Sequence, residues 1–103
     1  MAKGYWVAQV EVKNADDYKA NYAAVLGPVL AKFGGKYVTR GGQTEQVEGK
    51  GKSRVVVLEF PSYQAALECY RSADYAKLKA VRMAAAEADI VVVEGYDGPQ
   101  PGA

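Results

Sequence analysis

The sequence predicts an α+β fold in which two helices cover one face of a four-stranded antiparallel sheet. Three observations favour this fold. Residues 55–60 are a mostly β-branched apolar run, which indicates a strand buried on both faces. Two other stretches repeat their apolar residues at the spacing of amphipathic helices. After a bend, the second predicted strand has a polar continuation over residues 43–48, and a glycine-containing turn at residues 49–52 leads into the third strand, as in a hairpin.

The first half of the chain predicts one strand and one long helix. Residues 4–12 form the strand, because apolar residues alternate along it. Asn14 is a favourable N-cap for the helix, since aspartates follow it in the first turn, near the positive end of the helix dipole. Pro28 has no N–H to donate, so we expect the helix to kink or split near Gly27.

The second half of the chain predicts a hairpin, a broken helix and a last strand. Residues 36–40 form a strand, and the pair of glycines after it indicates a bulge or bend. After the strand at 55–60, Ser62 caps a helix, and Ser72 provides a second cap that breaks it. Residues 88–96 form the last strand.

The resulting order, β-α-β-β-α-β with one central hairpin, is the ferredoxin-like arrangement. We assign it to a single domain over residues 1–96, followed by a flexible Gly/Pro tail over residues 97–103. The sheet face away from the helices is too apolar to be left in water, so we expect a second copy of the chain to cover it in a homodimer. The residues expected on this face are Tyr5, Val7, Val55, Val57, Ile90 and Val92.

Composition argues against several classes of partner. The 103 residues carry a formal net charge of +1, which gives no overall field to attract nucleic acid or anionic lipid. No apolar run approaches the roughly 20 residues needed to span a bilayer, and the first residues do not have the pattern of a signal peptide, so we expect a cytoplasmic protein with no membrane partner. One cysteine and no histidine remove nearly all zinc, copper and haem ligation, so no metal and no cofactor is expected.

A set of short motifs resembles a known family. The motifs are Gly34-Gly35-Lys36-Tyr37, Arg40-Gly41-Gly42, Glu59-Phe60-Pro61-Ser62 and Ser72-Ala73-Asp74-Tyr75 followed by Arg82. Over about residues 4–96 the chain resembles the domain of unknown function 1330 family, which belongs to the dimeric α/β-barrel superfamily. The resemblance implies a ferredoxin-like fold, a dimer made by packing two sheets face to face, and a pocket between sheet and helices. Its superfamily includes cofactor-independent monooxygenases, muconolactone-isomerase-like enzymes and haem enzymes.

Arg82 is the main candidate for a binding residue. It shares a helical face with Tyr75, seven positions earlier, so its guanidinium should point inward or toward the sheet edge. An inward arginine needs an acceptor, which is either Glu59, Glu94 or the carboxylate of a bound small molecule. The residues expected to bind such a molecule are Arg82, Tyr75, Arg40 and Glu59.

Most other reactive side chains have a structural explanation. Three strands carry a glutamate that would serve as a general base if burial raised its pKa, but ion pairs with the arginines at the rim of a dimer explain these acids better. Helical periodicity assigns Tyr18 and Tyr22 to the core. Cys69 lies in an amphipathic helix with no histidine to activate it, which indicates an inert thiol.

Two functions remain open on the sequence alone. The first is a site for a small organic ligand with an anionic or carbonyl group, and its sharpest form is a cofactor-independent isomerase or monooxygenase. The second is a non-enzymatic dimer with a structural or protein-interaction role, in which the same residues close the core. A well-formed cavity favours the first function, and an Arg82 fully paired to protein carboxylates favours the second.

Overall fold

The computed structural model describes residues 2–102, so Met1 of the predicted domain and Ala103 of the predicted tail lie outside the described residues. In chain order the elements are β1 (Gly4–Val12), α1 (Ala15–Tyr18), a π-helical turn (Lys19–Ala23), α2 (Ala24–Lys32), β2 (Lys36–Arg40), β3 (Arg54–Phe60), α3 (Tyr63–Arg71), α4 (Ala73–Ala85) and β4 (Ala86–Glu94). The last strand therefore begins and ends two residues earlier than the sequence predicts.

The strands form one antiparallel sheet in the order β2-β3-β1-β4. This order, with a crossover helix on each side of the central hairpin, is the ferredoxin-like fold, as predicted. The register between β2 and β3 shifts between Tyr37 and Thr39, so the irregularity lies inside β2. Gly41 then bends the chain with a φ of +71°, a conformation that glycine adopts without strain.

The strand register corrects the predicted composition of the open sheet face, the face that carries no helix. Trp6 lies opposite Val92, and Ala8 lies opposite Ile90, so Ile90 and Val92 share the helix side of the sheet with the core. On the open face their places are taken by Val91 and Val93. The apolar residues of the open face are Tyr5, Val7, Val55, Val57, Val91 and Val93.

An aromatic cluster joins the sheet to helices α3 and α4. The Trp6 ring on β1 packs against the rings of Phe60, Tyr70 and Tyr75, with centroid distances of 5.4, 5.5 and 4.9 Å. The indole Nε1 of Trp6 donates to the carbonyl of Ala66 at 2.8 Å, so its polar atom is satisfied within the core. These contacts hold α3 and α4 against β1.

Two irregularities of the helices position side chains that line the cavity between sheet and helices. The predicted break at Ser72 is confirmed: its backbone is extended (φ −70°, ψ 154°), and its Oγ accepts from the amide of Tyr75 at 3.1 Å. The predicted split near Gly27 is wrong, because α2 continues through Pro28, whose fixed φ is itself helical. The irregularity lies upstream, in the π-helical turn, where the amide of Ala24 donates to the carbonyl of Lys19.

The chain after β4 forms no helix or strand up to residue 102. The amide of Gly95 donates to the carbonyl of Lys3 at 2.7 Å, and the hydroxyl of Tyr96 donates to the carbonyl of Pro99 at 2.9 Å. The flexibility of this segment stays a prediction. Within residues 2–102, none of the helices has the length and apolar character needed to cross a bilayer.

Ser72→Ala should destabilise the protein by about 1 kcal/mol, because it removes the side-chain cap of α4. The hydroxyl of Ser72 also donates to the carbonyl of Cys69 at 2.7 Å, so the substitution loosens both sides of the break. Urea unfolding measures the change. Thr44→Ala, in the exposed segment after β2, is the control; equal effects of the two substitutions would show that the cap does not stabilise the break.

Candidate functional site

A partly open cavity of about 30 Å³ lies between the helix side of the sheet and the helices. By this measure a water molecule needs roughly 10–15 Å³, so the cavity holds about two waters. Its wall is formed by residues from all four strands, from α1, the π-helical turn and α2, and from α4. The charged and phenolic residues of the wall are Arg40, Arg54, Arg82, Tyr18, Tyr22 and Tyr37, and the rest of the wall is mainly aliphatic and aromatic.

Arg82 enters this cavity from α4. Tyr75 and Arg82 lie two helical turns apart on one face, so both side chains point toward the sheet, as predicted. Arg82 is only 6% exposed, and its Nε donates to the hydroxyl of Tyr75 at 3.3 Å. Within residues 2–102 this is its only hydrogen bond, and it makes no salt bridge there. Neither Glu59 nor Glu94 reaches it, so the predicted internal ion pair is not formed.

The hydrogen bond from Arg82 continues into a pair of buried tyrosines. The hydroxyls of Tyr75 and Tyr22 lie 2.7 Å apart, and Tyr22 reaches the cavity wall from the π-helical turn. Such turns often occur at functional sites. Burial raises the pKa of both phenols, and for Tyr22 the neighbouring Tyr75 raises it further. Both side chains therefore remain neutral hydrogen-bonding groups rather than bases at physiological pH.

Arg54 is a second inward arginine. It opens β3 opposite Val10 of β1, which places it on the helix side of the sheet. Its guanidinium carbon lies 5.8 Å from the centre of the Tyr18 ring, and its Nε is buried without a hydrogen-bond partner in the described chain. Gly41 adopts a positive φ that favours glycine, and a Cβ there would occupy the present position of Nη1 of Arg54.

The predicted ligand-binding residues do not all meet at this cavity. Arg82 and Arg40 line it, and Arg40 is exposed and stacks on Tyr37 with its guanidinium carbon 4.5 Å from the ring centre. Tyr75 is not among the residues of the wall, and its hydroxyl accepts the hydrogen bond from Arg82. Glu59 lies on the open face, because it is paired with Tyr5 in the sheet register; its carboxylate accepts from the Tyr5 hydroxyl at 3.1 Å. Glu59 is therefore not part of this site.

The sequence pattern does not place Tyr18, Tyr22, Tyr37 or Arg54 at the cavity. The assignment of Tyr18 and Tyr22 to the core is confirmed, and both side chains also reach the wall, Tyr22 from a π-helical turn that helical periodicity does not predict. The sequence indicates Arg54 only as a partner for acids. Its place follows from the register of β3 with β1, which a central strand that is apolar on both faces does not reveal.

The electrostatics of the cavity are one-sided. Three arginines contribute to the wall, and no aspartate, glutamate or lysine among the described residues does. Residues 2–102 contain no group of three or more acids and cysteines arranged to hold a metal. Cys69 is buried away from the wall, and burial raises the pKa of its thiol to about 12. The wall therefore offers guanidinium and phenol donors, which suit an anionic or carbonyl oxygen.

The fold and the cavity define a ferredoxin-like domain with an arginine-lined pocket between sheet and helices. The chain belongs to the family described as Domain of unknown function (DUF1330), which matches residues 3–96. This membership confirms the resemblance noted in the sequence. No curated protein matches the chain.

Solved structures share the fold. The chain is similar to RPA0582, a protein of unknown function from Rhodopseudomonas palustris and a structural genomics target, with a TM-score of 0.74 and 22% identity over 94% of this chain and 85% of that chain. A structure of methylated RPA0582 gives a TM-score of 0.75 and 24% identity over 99% of this chain and 84% of that chain. At these identities the likeness shows the fold alone.

Tyr22→Phe should reduce the loss of stability at alkaline pH. The pKa of Tyr22 is raised above its ordinary value of 10.0 in the folded protein, so its stabilising contribution is complete below that pH. Above it the unfolded chain releases this proton first, and the free energy of unfolding falls by about 1.4 kcal/mol per pH unit for each such group. Urea unfolding across this range should show a shallower slope in the variant. Tyr63→Phe, at an exposed site, is the control, and equal slopes in wild type and Tyr22→Phe would contradict the assignment.

Proposed function

We propose that the protein binds a small organic molecule with an anionic or carbonyl group in the arginine-lined cavity. The observation that carries this proposal is Arg82, a buried guanidinium that has one hydrogen bond to Tyr75 and no carboxylate partner within residues 2–102. Arginine does not lose its charge in proteins, and an uncompensated buried charge costs several kcal/mol. A bound anion would offset that cost and stabilise the folded state.

The chemistry of the wall supports binding more directly than proton transfer. An isomerase or monooxygenase that works without a cofactor needs a base to take a proton from its substrate. Tyr22 and Tyr75 have raised pKa values, and no carboxylate of the described chain lines the cavity. The donors of the wall would hold a carboxylate or an enolate oxygen. An enzymatic form of the proposal therefore requires a base from outside this wall.

Arg82→Met should weaken ligand binding by about tenfold or more while the protein stays folded. Methionine keeps length and apolar contacts, and the Tyr75 hydroxyl keeps its hydrogen bond to Tyr22. Thermal-shift and calorimetric titrations with small carboxylic acids measure the effect. Loss of a hydrogen bond to a charged group is worth about 1.5–3 kcal/mol, so affinity should fall by about tenfold or more.

Arg71→Met, on the exposed end of α3, is the matched control and should bind like the wild type. The proposal fails if Arg82→Met binds the acids as tightly as the wild type does. It also fails if the wild type binds none of them and Arg82→Met unfolds, because Arg82 is then a structural residue and the non-enzymatic dimer becomes the better explanation.

We further propose that two copies of the chain pack their open sheet faces together as a homodimer of the α/β-barrel type. Val91 is 57% exposed and Val93 is 44% exposed on this face, beside half-buried Val55 and Val57. The face that an antiparallel sheet exposes to water is ordinarily polar. Covering the face with a second sheet about 10 Å away would bury it. The cavity lies on the opposite side of the sheet, so ligand binding and dimerisation use separate surfaces.

Val91→Asp should dissociate the dimer, because it places an unpaired charge in the proposed interface. Light scattering coupled to size-exclusion chromatography should give the mass of a monomer for the variant and of a dimer for the wild type. Val47→Asp changes an equally apolar residue that is 79% exposed and lies outside the sheet, and it should remain dimeric. A wild-type protein that is monomeric at micromolar concentration would refute the dimer.

A further inference from the structure

We infer that the ligand is a compact organic dianion, held between the guanidiniums of Arg82 and Arg54. This inference rests on the proposed anion site and goes beyond it by naming the charge and the class of the ligand. It also assigns a binding role to Arg54. Dicarboxylates are the simplest molecules of this class.

Arg54 has the features of a binding residue rather than of a structural cation. It makes no salt bridge and no hydrogen bond within residues 2–102, and its Nε is buried without a partner. Its guanidinium carbon lies 5.8 Å from the centre of the Tyr18 ring. Gly41, with its positive φ, leaves the space that the guanidinium fills. A side chain in this position has its donors free for a ligand.

The count of charges favours a dianion over a monoanion. Of the three arginines on the wall, Arg40 is exposed to water, so Arg54 and Arg82 are the two charges that need a counterion, and no acid of the described chain contributes to the wall. A single carboxylate held by Arg82 would leave the Arg54 charge without a counterion in a partly desolvated site, which is unfavourable. Two anionic groups compensate both guanidiniums, and each guanidinium can make the bidentate contact that carboxylates favour.

The size and the wall of the cavity define the class further. Its volume of about 30 Å³ limits the enclosed part of the ligand to a few heavy atoms. Apart from its arginines and tyrosines the wall is apolar, and it includes Leu58 and Ile90 from the sheet and Leu26 from α2. Apolar side chains stabilise carbon rather than further oxygen atoms. A short carbon skeleton with a carboxylate at each end therefore fits better than inorganic phosphate.

Calorimetric titration with malonate, oxalate, acetate and phosphate tests the inference, at constant ionic strength and a slightly alkaline pH where phosphate is a dianion. The wild type should bind malonate or oxalate at least about tenfold more tightly than acetate, because a second charged contact adds roughly 1.5–3 kcal/mol. Arg54→Met should lose this difference and still bind acetate, whereas Arg82→Met should bind acetate and the dicarboxylates at least about tenfold more weakly than the wild type. Arg71→Met is the control and should retain the wild-type pattern.

The outcomes separate this inference from the proposed function. Equal affinities for acetate and the dicarboxylates, or an Arg54→Met variant that keeps the difference, would overturn the dianion while the anion site stands. Phosphate bound more tightly than either dicarboxylate would overturn the organic class. No binding of any of the four anions to the wild type would overturn the anion site and the inference together. If Arg54→Met does not fold, Arg54→Lys keeps the charge without the fork and should bind malonate more weakly than the wild type but more tightly than acetate.

Discussion

The hydrogen bond from Arg82 to Tyr75 is the interaction on which the geometry of the candidate site depends. Tyr75 is fully buried: Ser72 caps α4 three residues before it, and its ring packs against Trp6. Two turns later the same helical face carries Arg82 to the cavity. A single helix thus links the aromatic core to the charge at the site, and the position of the charge is fixed by core packing rather than by a mobile loop.

The Arg82 charge has no counterion within residues 2–102. A buried arginine is ordinarily paired with a carboxylate, and the acids of this chain lie elsewhere: Glu59 is bonded to Tyr5 on the open face, and Glu11 accepts from Ser53. Under the proposed function, a bound anion would supply the missing counterion and stabilise the folded state by its own binding free energy. The aromatic cluster around Trp6 provides stability that does not depend on that ligand.

Much of the fold follows from the sequence, because strong local patterns set it: the alternation of β1, the caps at Asn14 and Ser72, and the glycines of the central hairpin. The inward direction of Arg82 follows from helical spacing in the same way. The open face was predicted in part only, since β4 is apolar at four successive positions and its alternation carries no information about which residues face the helices. Glu59 was wrongly expected in the site for the same reason, because β3 also has four successive apolar residues, at positions 55–58. The π-helical turn that brings Tyr22 to the cavity, and the register that brings Arg54 there, arise from tertiary packing and have no local signal.

The most direct test of this account is the nuclear magnetic resonance signal of the Arg82 Nε–H group in the free protein and during a titration with malonate. The account predicts a signal that exchanges slowly with water, because the group is buried and donates to Tyr75, and that shifts in a saturable way as malonate binds. The signal of exposed Arg71 should exchange rapidly and remain unchanged. An Arg82 signal that exchanges as rapidly as that of Arg71, or that does not move while malonate binds, would contradict the claim that this buried guanidinium is held free for an anion.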